Sequence, residues 1–279
     1  MFGEYNSFYK EVGGQEGKRC FYPTRLDTYG KGCYYNCVYC YSKELLNFRG
    51  LWKPNKVGVA PLFSIFDLIN NLNKGDVVRL GGMTDCFQPI EKRKHNTYNV
   101  IKKLNKKGIH YLVVTKSNLI IEDEYLSILD KNLAHIQISI PTDNDKILSK
   151  TDKAPTFKDR KKAVEVLQEN GFDVSLRLSP FLYNTTNFNR INKIKVDKVL
   201  VEFLRVKPKI AEKMKGIINI EDYTIKEGGY RHLPLNKKVE MLNKLKFKEK
   251  SVCDDVKKHY FYFKYKYNTN PNDCCNLKL

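Results

Sequence analysis

Cys33-Tyr34-Tyr35-Asn36-Cys37-Val38-Tyr39-Cys40 places three thiols within eight residues of one another. Soft thiolates suit iron–sulfur clusters and zinc, and a single loop can turn all three toward one centre. Gly30 and Gly32 precede the stretch and relax the backbone leading into it. The three-then-two spacing differs from that of a zinc knuckle or a thioredoxin pair. Three local ligands leave the fourth iron of a cluster open, and an open iron can bind a substrate directly. A structural zinc site is the alternative that the thiols alone leave standing.

Working outward, the flanking chain alternates strand-like and helix-like segments. A strand is expected near Thr24–Tyr29, before the cysteines. After them come a helix over 62–72, a strand over 76–80 running into Gly81-Gly82, and a basic helix over 91–107 stopped by Gly108. Strand 109–115, helix 121–132, strand 135–140, helix 157–170 and strand 172–178 follow, and strand 198–204 comes after an Asn-rich stretch. Strands of four to seven residues separated by longer helices imply parallel βα units, here six of them. A flat doubly wound sheet and an open (β/α)6 barrel both fit that count. In a barrel, chemistry gathers at the C-terminal strand ends, and the unusual residues of this chain fall there.

Cys33-x3-Cys37-x2-Cys40, with Tyr39 before the last cysteine, resembles the motif of the radical S-adenosylmethionine (SAM) enzymes. That resemblance implies an α/β fold, a partial (β/α)6 TIM-like barrel over residues 1–206, with a C-terminal extension over 207–279. It implies a [4Fe–4S] cluster on Cys33, Cys37 and Cys40 whose open iron chelates SAM. One electron then cleaves SAM to methionine and a 5′-deoxyadenosyl radical, which abstracts hydrogen from a substrate. Gly81-Gly82-Met83 stands where the family often has Gly-Gly-Glu. Thr84-Asp85-Cys86-Phe87-Gln88-Pro89-Ile90-Glu91 resembles a stretch of the spore photoproduct lyase-like subgroup, and Thr115-Lys116-Ser117 and Ser139 match its layout.

By this resemblance Tyr39, Gly81, Gly82, Thr84, Asp85, Ser117 and Ser139 are the candidate SAM-binding residues, and Cys86 and Lys116 the candidate catalytic ones. Turn and cap chemistry is the plainer role open to Thr84, Lys116 and Ser139, and a helix-dipole role the plainer one for Glu91. The hydrogen-donor cysteine of spore photoproduct lyase falls, by motif, at Gly82 here. Modification of a base is therefore expected rather than photoproduct repair.

The 279-residue chain, 42% hydrophobic with a net charge of +19, excludes a disordered chain, a collagen and a disulfide miniprotein. Only ten of its 50 basic residues are Arg, a composition that AT-rich genomes produce whatever the function. Acids still fall 19 short of bases, which points to a polyanion such as DNA or RNA. The stretch 257–267 interleaves six aromatics with lysines, fitting either a base-stacking platform or an element packed on the barrel. Cys253, Cys274 and Cys275, with Cys20 or Cys86, are candidates for a second iron–sulfur cluster or a zinc.

No apolar run is long enough to span a membrane, and Met1–Asn6 lacks a basic-then-apolar leader pattern, so a cytoplasmic location is expected. The expected partners are nucleic acid and a flavodoxin- or ferredoxin-type reductant. The same fold acting on a peptide or small metabolite is the enzymatic alternative. A non-catalytic, metal-stabilised nucleic-acid-binding protein is the alternative from another class.

Overall fold

The computed structural model describes residues 9–11, 19–53 and 56–279; Met1–Asn6 lie outside the described residues. Its main sheet runs, in spatial order, through β1 (Tyr9–Glu11), β2 (Thr24–Leu26), β5 (Val77–Leu80), β6 (His110–Thr115), β7 (Ala134–Ser139), β8 (Asp173–Phe181), β9 (Lys198–Phe203) and β12 (Glu249–Val252). Within this sheet, among the described residues, only the β1–β2 pairing is antiparallel. The remaining seven strands are parallel, and they form a partial TIM-like barrel. This resolves the choice between a flat sheet and an open barrel. Six of the seven are the strands read from sequence, and Glu249–Val252 adds the seventh.

Val, Ile and Leu take consecutive positions, and so both faces, in β6 and β9, but alternate with polar residues in β7 and β8. All six residues of β7 are buried, polar His135, Gln137 and Ser139 alternating with Ala134, Ile136 and Ile138. Helix Asn96–Lys107 buries Val100, Ile101 and Leu104 on one stripe and ends at Gly108 in the left-handed conformation (φ 66°). Helix Phe157–Glu169 starts with a capping box between Thr156 and Asp159 and packs on β7 and β8. Such a cap contributes about 1 kcal/mol.

Several segments differ from the sequence reading. The helix expected over 91–107 breaks at His95 (φ 50°), because Glu91 turns back to accept the N–H groups of Thr97 and Tyr98. The helix expected over 121–132 is reduced to the turn Leu119–Ile121 and the four residues Asp123–Leu126. Strand 24–29 stops at Leu26; Tyr29–Gly30 (β3) then pairs antiparallel with Gly58–Val59 (β4). Another small antiparallel pair joins Ile225–Glu227 (β10) to Tyr230–His232 (β11). The aromatic stretch is a helix, Lys257–Lys266. No helix among the described residues is long and apolar enough to cross a membrane.

Candidate active site

The cysteine loop is fixed by its backbone before any metal is considered. Asn36 takes a left-handed conformation (φ 41°), and its N–H donates to the Cys33 carbonyl at 3.1 Å. Asparagine tolerates that region better than most residues. Cys40 caps helix Tyr41–Phe48, its Sγ accepting the Lys43 N–H at 3.4 Å. Val38 N–H donates to the Thr151 carbonyl at 2.8 Å, and Tyr34 N–H donates to Gln88 Oε1 at 3.0 Å. Gly32 is obligatory here, since a Cβ would stand 2.4 Å from the Lys53 carbonyl oxygen.

Cys33, Cys37 and Cys40 all line one cavity on the concave side of the sheet, together with Gly81, Gly82, Thr84, Asp85, Lys116, Ser139 and Tyr39. Burial pushes the Cys33 thiol up to about 12, and burial raises Cys37 as well. Both are protonated at neutral pH until a cation is bound, so metal binding would release protons. No three Cys, His, Asp or Glu side chains among the described residues converge as a single ion would need. A tetrahedral zinc would bring its sulfurs to about 3.8 Å from one another, given bonds of roughly 2.3 Å. A four-iron cluster gives each thiolate its own iron, so thiols spread along a cavity wall suit it.

The turn after β5 faces that loop. Gly81 has φ 83°, and a Cβ there would lie 2.6 Å from the Val114 carbonyl oxygen. Asp27, which the sequence reading missed, accepts the N–H groups of Met83 and Thr84 at 2.9 and 3.0 Å. Burial raises Asp27 to about 6 despite those donors. Asp85 joins two strand ends, its Oδ1 accepting from Thr115 Oγ1 at 2.6 Å and its Oδ2 from the Lys116 N–H at 2.7 Å. Tyr41, on the helix after the motif, donates its hydroxyl to the Gly82 carbonyl at 3.0 Å.

Tyr39 is set in the wall by its hydroxyl, which donates to Asp152 Oδ2 at 2.6 Å. Asp152 is paired in turn with fully buried Arg160 at 2.6 Å. Breaking one side of such a buried pair costs about 3–5 kcal/mol, so the Tyr39 ring has a rigid backing. Lys116 Nζ lies 5.7 Å from the centre of that ring.

The structure brings together most of the candidate residues but leaves two aside. Cys86 is 1% exposed in the hydrophobic core, behind Gly81 and off the cavity wall. Ser117 Oγ accepts the Leu119 N–H at 3.1 Å, a local turn bond, and it too stands off the wall. Glu91 is fully buried and serves the helix beginning at Asn96.

The cavity also holds arginines that the motifs did not single out. Arg19, Arg25, Arg79, Arg177 and Arg205 all line it. Arg177 pairs with Glu202 at 2.5 Å and donates to Gln137 Oε1 at 2.6 Å. Burial alone would raise Glu202, but Arg177 and Arg205 bring it down to about 2. Arg205 stacks over Tyr41, its guanidinium 4.6 Å from the ring centre. The scarcity of Arg in a Lys-rich chain was the sequence signal available for these positions.

A family model described as the radical SAM superfamily matches residues 28–200. The chain belongs to the radical SAM superfamily. Membership implies SAM and a [4Fe–4S] cluster as its equipment. The donor set of Cys33, Cys37 and Cys40 fits that cluster. The non-catalytic binding protein is set aside.

An uncharacterised protein of Methanocaldococcus jannaschii is 27% identical over 154 residues, covering 54% of this chain and 58% of that one. The chain thus matches under two thirds of that relative's length. Among solved structures, spore photoproduct lyase complexed with dinucleoside spore photoproduct is similar over 95% of this chain and 79% of that chain. It has a TM-score of 0.63 at 12% identity. A mutant of that lyase with bound AdoMet and dinucleoside spore photoproduct gives a TM-score of 0.62 at 12% identity, covering 94% of this chain and 78% of its own. At this identity the likeness concerns the fold.

Proposed function

We propose that this radical SAM enzyme acts on nucleic acid, DNA or RNA, and modifies a base rather than repairing a photoproduct. The observation that carries the reading is the distribution of arginine. Five of the ten arginines in the chain line the one cavity that also holds the cysteine motif. Where 40 of 50 basic residues are Lys, a cavity with five Arg and two Lys selects for the planar guanidinium fork. That fork matches phosphate oxygens two at a time, which an ammonium does not.

Helix Lys257–Lys266 supports the same reading from outside the cavity. Tyr260 lies in the cavity wall, while Phe261 and Tyr265 are exposed and stack on each other at 6.3 Å with an interplanar angle of 5°. Lys264 Nζ sits 5.4 Å from the Tyr265 ring centre and 5.9 Å from that of exposed Phe21. Rings interleaved with lysines suit unpaired bases and their backbone, each stacked base contributing about 1–3 kcal/mol. Spore photoproduct lyase, whose fold is similar, binds a dinucleoside. Gly82 offers no thiol where the motif resemblance puts that enzyme's hydrogen donor, and Cys86 is buried, so the repair reaction is not the one proposed.

When bound, a [4Fe–4S] cluster would supply the electron for reductive cleavage of SAM. In this reading Cys33, Cys37 and Cys40 hold it. Gly81 and Gly82 would present bare backbone to the methionine end of SAM; Asp27 holds the next two N–H groups of that turn, and Asp85 ties the turn to the end of β6. Tyr39, Thr84, Lys116 and Ser139 line the rest of the SAM site. Residues 1–206 carry this chemistry, residues 207–279 contribute the substrate surface, and a flavodoxin- or ferredoxin-type protein is the reductant in the cytoplasm. Cys253, Cys274 and Cys275 are candidate ligands of a second iron–sulfur cluster or a zinc.

The test is anaerobic turnover of the reconstituted protein with SAM and dithionite, quantifying 5′-deoxyadenosine with and without single-stranded DNA or RNA. Product that disappears in Cys33→Ala and rises several-fold with nucleic acid is expected. Turnover indifferent to every nucleic acid, with no salt-dependent binding, overturns the substrate class.

A further inference from the structure

Seven of the eight cysteines of the chain line the same cavity, and only three of them belong to the motif. The other four are Cys20, Cys253, Cys274 and Cys275. They arrive from opposite ends of the chain: Cys20 precedes β2, Cys253 follows β12, and the adjacent pair lies in the turn 273–276. Cys253 and Cys275 are the groups that act most strongly on the Cys274 thiol, and both act on Cys20 as well, so the four thiols are electrostatic neighbours.

The segments carrying these thiols are built into the protein. Asp273 Oδ1 accepts the Cys275 N–H at 2.8 Å, while its Oδ2 accepts the Leu277 N–H at 2.8 Å and the Tyr22 hydroxyl at 2.7 Å. That last bond ties the Cys20 segment to the cysteine turn. Asn276 adopts φ 57°, and its carbonyl accepts from buried Lys198. The N–H of Lys278 donates to Asp173 at 2.9 Å, and the N–H of Cys253 donates to the Val201 carbonyl at 3.0 Å. Chance burial of small apolar thiols does not call for four of them lining one cavity with each segment separately anchored.

We infer that Cys20, Cys253, Cys274 and Cys275 bind a second iron–sulfur cluster, fully ligated by protein. Four thiolates complete a four-iron cluster with one sulfur on each iron. A single zinc ion would need the sulfurs gathered on one point, and no three such groups among the described residues are. Adjacent cysteines are also poorly placed to bridge each other as a disulfide. Arg79 and Arg177 lie within electrostatic reach of Cys275 and supply positive charge to an anionic cluster. The inference concerns these thiols alone and does not depend on the substrate being nucleic acid.

The decisive protein is the full chain with Cys33, Cys37 and Cys40 all changed to Ala, reconstituted anaerobically with iron and sulfide. About four iron and four sulfide per chain are expected, with a dithionite-reduced paramagnetic signal that SAM leaves unchanged. A colourless, iron-free product with the circular dichroism of the wild-type apoprotein overturns the inference, and so does one equivalent of zinc in place of iron. A second variant, Cys20, Cys253, Cys274 and Cys275 all to Ser, is expected to keep about four iron and a SAM-sensitive signal, against about eight iron in the wild type. Wild type and this variant binding equal iron also overturns it.

Discussion

Gln88 Oε1 accepts the backbone N–H of Tyr34 at 3.0 Å, so the turn after β5 and the cysteine loop are held as one unit. The Tyr35 hydroxyl adds a second tie, donating to the Phe87 carbonyl at 3.2 Å. A stretch that looks like ligand-binding sequence, Thr84 to Glu91, thus does much of its work on the protein itself. Gln88→Leu removes the acceptor but also a buried amide nitrogen that has no partner among the described residues. A stability loss of about 1 kcal/mol or less is expected, since Tyr34 is exposed enough for water to replace the bond. The cysteine loop loses its brace, and iron release to a chelator is expected to quicken several-fold while the melting temperature barely moves. Unchanged release kinetics would show that Gln88 does not position the ligands.

The two glycines at the strand end make a paired test. Gly81→Ala puts a Cβ 2.6 Å from a strand carbonyl in a left-handed conformation, and neither can yield cheaply. A cost above about 2 kcal/mol and loss of SAM binding are expected. A Cβ at Gly82 instead meets the stem of buried Arg25, its Cδ at 2.8 Å and its Cβ at 3.1 Å, so rotation of that side chain relieves only part of the clash. Gly82→Ala is expected to cost about 1 kcal/mol. Urea denaturation alongside SAM titration separates the two; equal losses for both would refute this account of the turn.

Much of the barrel was legible because its short strands are rich in Val, Ile and Leu, in a continuous run over Tyr111–Val114 and at alternate positions in Ala134–Ser139. Strand Glu249–Val252 was not, since two of its four residues are charged and it pairs on one side only, with β9. The break at His95 escaped notice for another reason: Glu91 satisfies N–H groups six and seven residues ahead, a choice no propensity encodes. The cluster ligands sit in one local motif and were readable. Asp27 and Gln88 act across more than 50 residues of sequence on backbone donors that leave no trace in residue type. The sequence offered Cys20 or Cys86 beside the C-terminal cysteines; the Tyr22–Asp273 bond brings the Cys20 segment to them, while Cys86 lies in the core.

On helix Lys257–Lys266, neighbouring rings have opposite prospects. Tyr265 is 65% exposed, whereas Phe263 is fully buried in the core. Tyr265→Ala is expected to leave stability within about 0.5 kcal/mol while weakening single-stranded nucleic-acid binding roughly 5- to 100-fold, the loss of one stacked base. Phe263→Ala is expected to destabilise by about 3–5 kcal/mol through the cavity it leaves. Fluorescence anisotropy with a labelled oligonucleotide and thermal melts of both variants check the pair. A Tyr265→Ala variant that binds as tightly as wild type removes this helix from the substrate surface.

Asp173 gives the fold a defined acid sensitivity. It accepts from His135 Nδ1 at 2.5 Å, from Lys198, and from the Lys278 N–H at 2.9 Å. Burial alone would raise it, but these donors bring it down to about 2. An unfolded aspartate titrates near 3.9. Between those values the native state binds fewer protons than the unfolded chain, so stability falls as pH drops from about 4 toward 2. The contribution present above that window is about 2–3 kcal/mol. Asp173→Asn is expected to abolish this part of the pH dependence and, at neutral pH, to cost about 3–5 kcal/mol by leaving the Lys198 ammonium buried without its counter-charge. Urea midpoints of the apoprotein at pH 7, 4 and 3 provide the measurement. Because Glu202 is lowered in the same direction, the quantity to read is the gap between wild type and variant, which should narrow with acid. A gap that stays constant with pH would mean that Asp173 stabilises the fold by shape rather than by charge.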